Sequence, residues 1–505
     1  MFSNITSYKT VGIDAVPVKI ETKVRPGIGI HLVGLADMYV KESLIRTITA
    51  MQALGYRIPG KKIIINLSPS DLHKSGSGYD LPIALGLLEA SEQKTFKDAD
   101  KFLIAGELGL DGSVRAVSGA VQAAKYAEKN GLSIILPREN ALEVKPFFDG
   151  RKIYGVSTLD EAIDIMEGKP HPNIYEEKET RGRQKHEKSA WSQIQGNEGA
   201  KRAIEIAAAG GHNILLVGNP GSQKGTIAMA LKELLPDMYY DEALETASVY
   251  SAAGLSAARK NNETVRPLRA PHYAASLSAL LGGGASDSIR PGEVSLAHNG
   301  VLYLDEFNMF PKSVMEALRG PLEDGKVSIS RLRSITEYPS RFLLAAAINP
   351  CPCGYHGTER CTCTPGQIAT YLSRIYTPIY DRIDIQVYTQ ALPEKIQKST
   401  VEDIDAVRGR ILKARKEQFK RFGTLGKLNA NMASADIEKY VKIDDDVKNL
   451  LEKLMDRLGL SARTYTRILK IARTIADLAG CETVSTGHVA EAAGYRFLDR
   501  SNSQE

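Results

Sequence analysis

Residues 218–225 read GNPGSQKG. A phosphate-cradling loop has the spacing G-x-x-x-x-G-K-[ST]: backbone N–H groups surround the phosphates, the lysine reaches the outer ones and the hydroxyl ligates Mg²⁺. Gly218 and Lys224 are in register, but Gln223 stands where the second glycine belongs and Gly225 where the hydroxyl belongs, with Asn219, Pro220, Gly221 and Ser222 forming the turn between. Thr226 carries its hydroxyl one residue late, roughly 100° further around a helix, and is no simple substitute. A glutamine where backbone must approach phosphate strains or displaces the loop, at roughly 1 kcal/mol or more. An ion short of one fixed ligand recruits water instead, because Mg²⁺ normally keeps several waters. Binding of ATP with Mg²⁺ is therefore expected, and whether hydrolysis survives stays open between a working motor and a module that only binds.

Two further groups belong with this loop. GVLYLDEF, residues 300–307, is an apolar strand ending in Asp305 and Glu306, a pattern in which the aspartate holds Mg²⁺ and the glutamate polarises water. RFLLAAAINP, residues 341–350, is a second buried strand ending at Asn349. Parallel strands with polar residues at their C-terminal ends are how an open α/β sheet places ligands. Separately, Cys351, Cys353, Cys361 and Cys363 crowd into CPCGYHGTERCTC. Four soft thiolates suit a structural Zn²⁺ with no open position, His356 being a spare ligand and plain reduced thiols the alternative. The remaining cysteine, Cys481, reads as a small buried apolar residue in a helical stretch.

The elements that must position these groups divide the chain. Residues 176–188, EEKETRGRQKHEK, are nearly devoid of apolar side chains and read as a solvated linker. Before it, β-rich runs (KIIINL, SIILP) mix with helical patterns (VKESLIRTITAMQAL, AVQAAKYAEKNG), as in an α+β domain. After it, the helical NEGAKRAIEIAAAG precedes the strand NILLV and the loop, and from about residue 400 the pattern is helical, with caps at Asp444, Ser461 and Ser485. The expected domains are 1–170 (α+β), a linker at 171–190, 191–395 (α/β, nucleotide-binding, with the cysteines) and 396–505 (a helical lid).

A chain of 505 residues exceeds one core, and its 65 basic against 60 acidic residues leave a net charge of only +5, so any nucleic-acid surface must come from local clustering. No apolar run suits a membrane helix, and the first residues lack the pattern of a signal peptide, so a cytoplasmic location is expected. KVSISRLRSITEYPSRF reads as a hairpin with Arg331 and Arg333 near its turn, and a Gly-rich loop ends at Arg290. Both are candidates to track a DNA backbone without reading its sequence, as is the basic helix from Lys413 to Gly423, for which a solvated face is an even alternative.

GAKRAIEIAAAGGHNILLVGNPGS, RAPH (269–272), RPGEVSLAHNGVLYLDEF, EALRGPLEDGKVSISR, NPCPCGY, DRIDI and GLSARTYTRILKIARTIADLAG together resemble the ComM/YifB family of magnesium-chelatase-like AAA+ ATPases, over nearly the whole chain and in order. The resemblance implies Lys224 on phosphate, Asp305 on Mg²⁺, Glu306 as base and Asn349 orienting the water. It also implies Arg382 of DRID as the finger offered to a neighbouring subunit, Arg463 of GLSAR as the lid arginine, and hence a ring, typically hexameric. Such proteins are branch-migrating helicases linked to DNA uptake and recombination. The chain departs from the pattern in the loop and at Tyr273, where the family's RAPHH has its second histidine. A metal-insertion motor is a further rival, though the sequence offers no recognisable porphyrin pocket.

The N-terminal runs LSPSDLHKSGSGYDLPIALGLL and FLIAGELGLDGSVRAVSGAVQAAKYAEKNGLSIILPREN are similar to the proteolytic domain of Lon, implying a ribosomal S5 domain 2-like α+β fold. Alignment puts Gly78 where Lon has its serine and Val121 where it has its lysine, so a scaffold rather than a peptidase is expected. Ser75, Ser77 and Lys74 are the conceivable substitutes.

Overall fold

The computed structural model describes residues 2–35, 37–74, 76–148, 152–170, 189–256, 263–284, 289–331, 334–373, 377–391, 402–458 and 461–498. The charged linker at 176–188, Ser75 and Arg333 lie outside them.

The N-terminal part is built on a seven-stranded mixed sheet. In spatial order its strands are Ile30–Val33, Lys62–Ser68, Asp14–Arg25, Phe2–Val11, Phe102–Ile104, Ser133–Pro137 and Ile153–Val156. Alternation sorts the side chains: Ile135 faces one layer of helices (Met38–Ala53, Asp80–Ala90, Leu159–Met166), while Ile134 and Leu136 face the other (Ala120–Lys129, Arg138–Val144). Val121 is buried among that second apolar layer. Ser77 donates to Glu107 and the Lys74 ammonium to the carbonyl of Pro69, so the two are tied to separate partners.

The central part is a five-stranded sheet, parallel throughout, in the order Leu268–Arg269, Val301–Leu304, Leu343–Ile348, Ile214–Gly218, Ile385–Thr389. Strands buried on both faces carry continuous apolar runs, which is why NILLV and LLAAAI lack alternation. Leu216, Tyr303 and Ala345 face the helices Glu198–Gly210 and Lys224–Leu234; Leu215, Leu302 and Ala346 face the opposite layer. The helix Tyr240–Ala253 lies against the N-terminal part, where Gln122 donates to the carbonyl of Ser248 at 2.7 Å.

Beyond residue 402 the described chain is helical, and Ile404–Phe422 and Ala462–Ala479 pack on the same layer as Glu198–Gly210. Asp444 accepts from the N–H of Val447, and Ser461 from that of Thr464, capping the two helices they precede. Two expectations need correction. Cys481 is exposed, because Gly480 ends the preceding helix in a left-handed conformation and turns the cysteine out. The basic helix is only in part a solvated face: Arg421 pairs with the buried Asp477 at 2.6 Å and Arg415 donates inward to the carbonyl of Ala208 at 2.7 Å, while Lys413, Lys416 and Lys420 are exposed.

Candidate functional site

The loop leaves the strand Ile214–Gly218 and runs into the helix Lys224–Leu234. Gly218 is required by space, since a Cβ there would lie 2.0 Å from Oγ1 of Thr389 and 2.6 Å from Oγ of Ser222. Those two hydroxyls bond each other at 2.8 Å and close the base of the loop. Gln223 adopts the left-handed conformation (φ 64°) that its glycine counterpart would take freely, so the substitution strains the backbone there. Its side chain is tethered in return, donating to the carbonyl of Gln193 at 3.1 Å and accepting from Asn197.

The Lys224 ammonium is held by the carbonyls of Gly218 (2.6 Å) and Asn219 (3.1 Å) and by Oδ1 of Asn349 (3.1 Å). Burial lowers its pKa, with Asp305 and Glu306 pulling the other way. Asp305 and Glu306 are exposed where Val301–Leu304 ends. The strand carrying Asn349 lies between that strand and the loop strand, so all three chemistries meet at the C-terminal edge of the sheet. Thr226 is half-buried in the first turn of the helix.

Arg382 and Arg463 lie elsewhere. Asn213, at the start of the loop strand, donates to the carbonyl of Arg382 at 2.8 Å. The two ends of that strand are separated by about 15 Å at 3.3 Å per residue. Arg382 is ion-paired with Glu323, and Arg463 with Asp381 at 3.0 Å. With Arg266, Arg341, Arg415, Arg467 and Lys470 they line a cavity of about 750 Å³. Burial and the positive charges of Arg319, Arg463 and Arg467 push the Arg382 pKa down. Glu242, Glu323, Asp324, Asp381 and Asp384 share the lining, and sequence reasoning missed this charged cavity, which gathers residues scattered from 242 to 470.

The cysteines converge. Their sulfur atoms lie within 4.8 Å of one another, with Cys351 to Cys353, Cys353 to Cys361 and Cys351 to Cys361 at 3.3, 3.8 and 4.0 Å. A tetrahedral ZnS₄ centre has sulfurs about 3.8 Å apart, so the set fits the ion. Backbone N–H groups of Tyr355 and Thr362 hold the Cys353 thiol well below the ordinary range. His356 is exposed and outside the cluster. The cysteine loop also touches the nucleotide-type loop: a Cβ on Gly354 would lie 2.8 Å from Cδ of Pro220.

Arg290 is exposed on a short strand, Arg290–Pro291, paired with Gly282–Gly283. The hairpin is present, with Lys326–Arg331 antiparallel to Ser334–Pro339. The Tyr338 hydroxyl donates to the carbonyl of Ile289 at 2.8 Å, which brings hairpin and Arg290 together. Arg331 ends its strand, and Arg333 falls outside the described residues.

A parallel sheet with a lysine loop, an acidic pair and an asparagine at one edge, and a helical C-terminal region beside it, defines an AAA+ fold of the P-loop class. Residues 190–397 match the family described as "Magnesium chelatase, subunit ChlI", residues 20–140 "Subunit ChlI of Mg-chelatase" and residues 401–496 "Magnesium chelatase, subunit ChlI C-terminal". The chain is 41% identical over 494 residues to the uncharacterized protein YifB of Escherichia coli, covering 97% of this chain and 96% of the relative. It is 40% identical over 505 residues to the competence protein ComM of Haemophilus influenzae, covering 98% and 97%. The magnesium-chelatase 38 kDa subunit of Chlorobaculum tepidum is 23% identical over 304 residues, 56% of this chain and 72% of its own. The chain belongs to the ComM/YifB family of magnesium-chelatase-like, nucleotide-binding AAA+ proteins.

Proposed function

We propose that this chain binds ATP with Mg²⁺ at the 218–226 loop and acts as a ring, hexameric as in the family, that remodels or translocates on DNA in the cytoplasm. Lys224 takes the outer phosphates, Asp305 the ion, Glu306 polarises the attacking water and Asn349 orients it. The observation that carries the reading is the separation of the two halves of the site. Lys224, Asp305 and Asn349 gather at one edge of the sheet, and Arg382 and Arg463 at the other, which favours a second copy as the source of the arginines. The hairpin and Arg290 supply sequence-independent contacts to phosphate, and the competence name of the Haemophilus relative favours DNA as the substrate. No helix among the described residues is long and apolar enough to cross a membrane. The N-terminal sheet serves as a scaffold, with an apolar Val121 where a peptidase needs a lysine.

A second reading, nucleotide that only holds an assembly together, is favoured by Gln223 and Gly225. Phosphate release by the pure protein, compared with the Gln223→Gly, Gly225→Thr variant, separates the two. The expected result is release by the natural protein that DNA accelerates and salt suppresses. Release by the restored variant alone leaves only the binding module.

The cysteine cluster is assigned to a structural Zn²⁺ that fixes the 351–363 loop and, through Gly354 against Pro220, braces the nucleotide loop. Metal analysis is expected to find one zinc per chain. Its removal by a chelator, or by Cys353→Ser with Cys363→Ser, is expected to lower the melting temperature and weaken nucleotide binding together, since metal binding is coupled to folding of its loop. Zinc-free protein with unchanged nucleotide affinity argues against the brace.

A further inference from the structure

Tyr303 is a buried aromatic in the strand Val301–Leu304, which leads to Asp305, on the face covered by the helix following the loop. It is 7 % exposed, yet its hydroxyl makes no well-formed hydrogen bond among the described residues. With only the weak interaction with Asp305 to engage it, the buried hydroxyl keeps hydrogen-bonding capacity for a further group.

The hydroxyl sits at the damaged part of the loop. A Cβ built on Gly225 meets one heavy atom within 4 Å, the Tyr303 oxygen at 4.0 Å. Asp305 interacts with the same phenol. The hydroxyl therefore adjoins both the position that lacks one and the carboxylate expected to hold the ion.

We propose that Tyr303 supplies the hydroxyl missing at Gly225, holding, together with Asp305, a water in the shell of the nucleotide's Mg²⁺. The proposal rests on the nucleotide reading of the loop. A phenol both donates and accepts, and Mg²⁺ keeps several waters, so a group unable to reach the ion directly still fixes its shell. The reach of the tyrosine ring replaces the hydroxyl carried by a short side chain on the helix.

The test uses full-length protein and a fluorescent, non-hydrolysable ATP analogue, titrated in EDTA and at rising Mg²⁺, with Tyr303→Phe, Gly225→Ser and the double variant. Tyr303→Phe is expected to bind as the natural protein does in EDTA, but to need about 5–10-fold more Mg²⁺ for the half-maximal gain in affinity, the size of one hydrogen bond. Its melting temperature without nucleotide should stay close to that of the natural protein, which excludes misfolding as the cause. Gly225→Ser should restore the Mg²⁺ requirement in the Tyr303→Phe background and change it little in the natural one. A Tyr303→Phe protein with the natural Mg²⁺ requirement, or a serine effect equal in both backgrounds, overturns the assignment while leaving the nucleotide site standing. Absence of analogue binding by the natural protein overturns both.

Discussion

Lys224→Ala is expected to weaken binding of an ATP analogue by about a hundredfold or more, measured by fluorescence titration, with little change in melting temperature. The ammonium is half-buried and, among the described residues, is bonded by neutral oxygens, those of Gly218, Asn219 and Asn349. Asp305 and Glu306 act on it through charge alone. A buried cation without a bonded counter-charge favours an incoming phosphate, and truncating one partner of a buried charged pair costs about 2–5 kcal/mol. The pH dependence is set by the direction of the shift. Burial lowers the lysine's pKa from 10.5, and a bound phosphate favours the charged form again. Binding is then indifferent to pH below the free protein's value. Above it binding must take up a proton, so affinity falls by up to tenfold per pH unit, and the fall begins below 10.5. Lys224→Arg removes that dependence, because a guanidinium stays charged. An affinity insensitive to Lys224→Ala sinks the assignment of the loop.

Much of this site was readable before the fold was known, because its chemistry sits in short motifs at strand ends. An apolar run followed by a polar residue marks a strand of a parallel sheet and the edge where ligands bind. Three such runs, ending at Gly218, Asp305 and Asn349, therefore belong to one edge. Spacing also exposed the altered loop, although only the structure shows how Gln223 is accommodated: it keeps the left-handed turn and ties its amide to Gln193 and Asn197.

What remained hidden depends on which faces and edges meet. Tyr303 reads as one more apolar residue in VLYL; its meaning appears once the helix carrying Gly225 is packed on the same side of the sheet. Arg382 and Arg463 are far apart in sequence and belong to motifs of different segments. Their common place beside Asn213, and away from the loop, is set by strand order and by where the final helices pack. Cys481 was misjudged because composition says nothing of a helix ending one residue earlier, at Gly480. The contact of Gly354 with Pro220 joins two loops from neighbouring strands and left no periodic signal.

Arg382→Ala is expected to leave nucleotide affinity within about twofold and to lower turnover by about a thousandfold or more, the size of effect that an arginine supplied from a neighbouring subunit has on phosphoryl transfer. Its position dictates this split. Arg382 adjoins the N-terminal end of the loop strand, about 15 Å from the phosphate position in the same chain, and lines the polar cavity with Arg463 and Arg467. Burial, and then the positive charges of Arg319, Arg463 and Arg467, lower the pKa of Arg382, and Glu323 pairs with it. A phosphate offered by an adjacent subunit supplies further negative charge there. In a head-to-tail ring the loop of one subunit meets the arginines of the next. Mixing inactive Arg382→Ala with inactive Lys224→Ala therefore creates interfaces where an intact loop faces an intact arginine. For equal, random mixing about one interface in four is of this kind, so about a quarter of natural turnover should return. An arginine acting within its own chain predicts none, because no subunit in the mixture carries both residues. An Arg382→Ala protein that fails to bind nucleotide or to assemble assigns the residue to the fold instead.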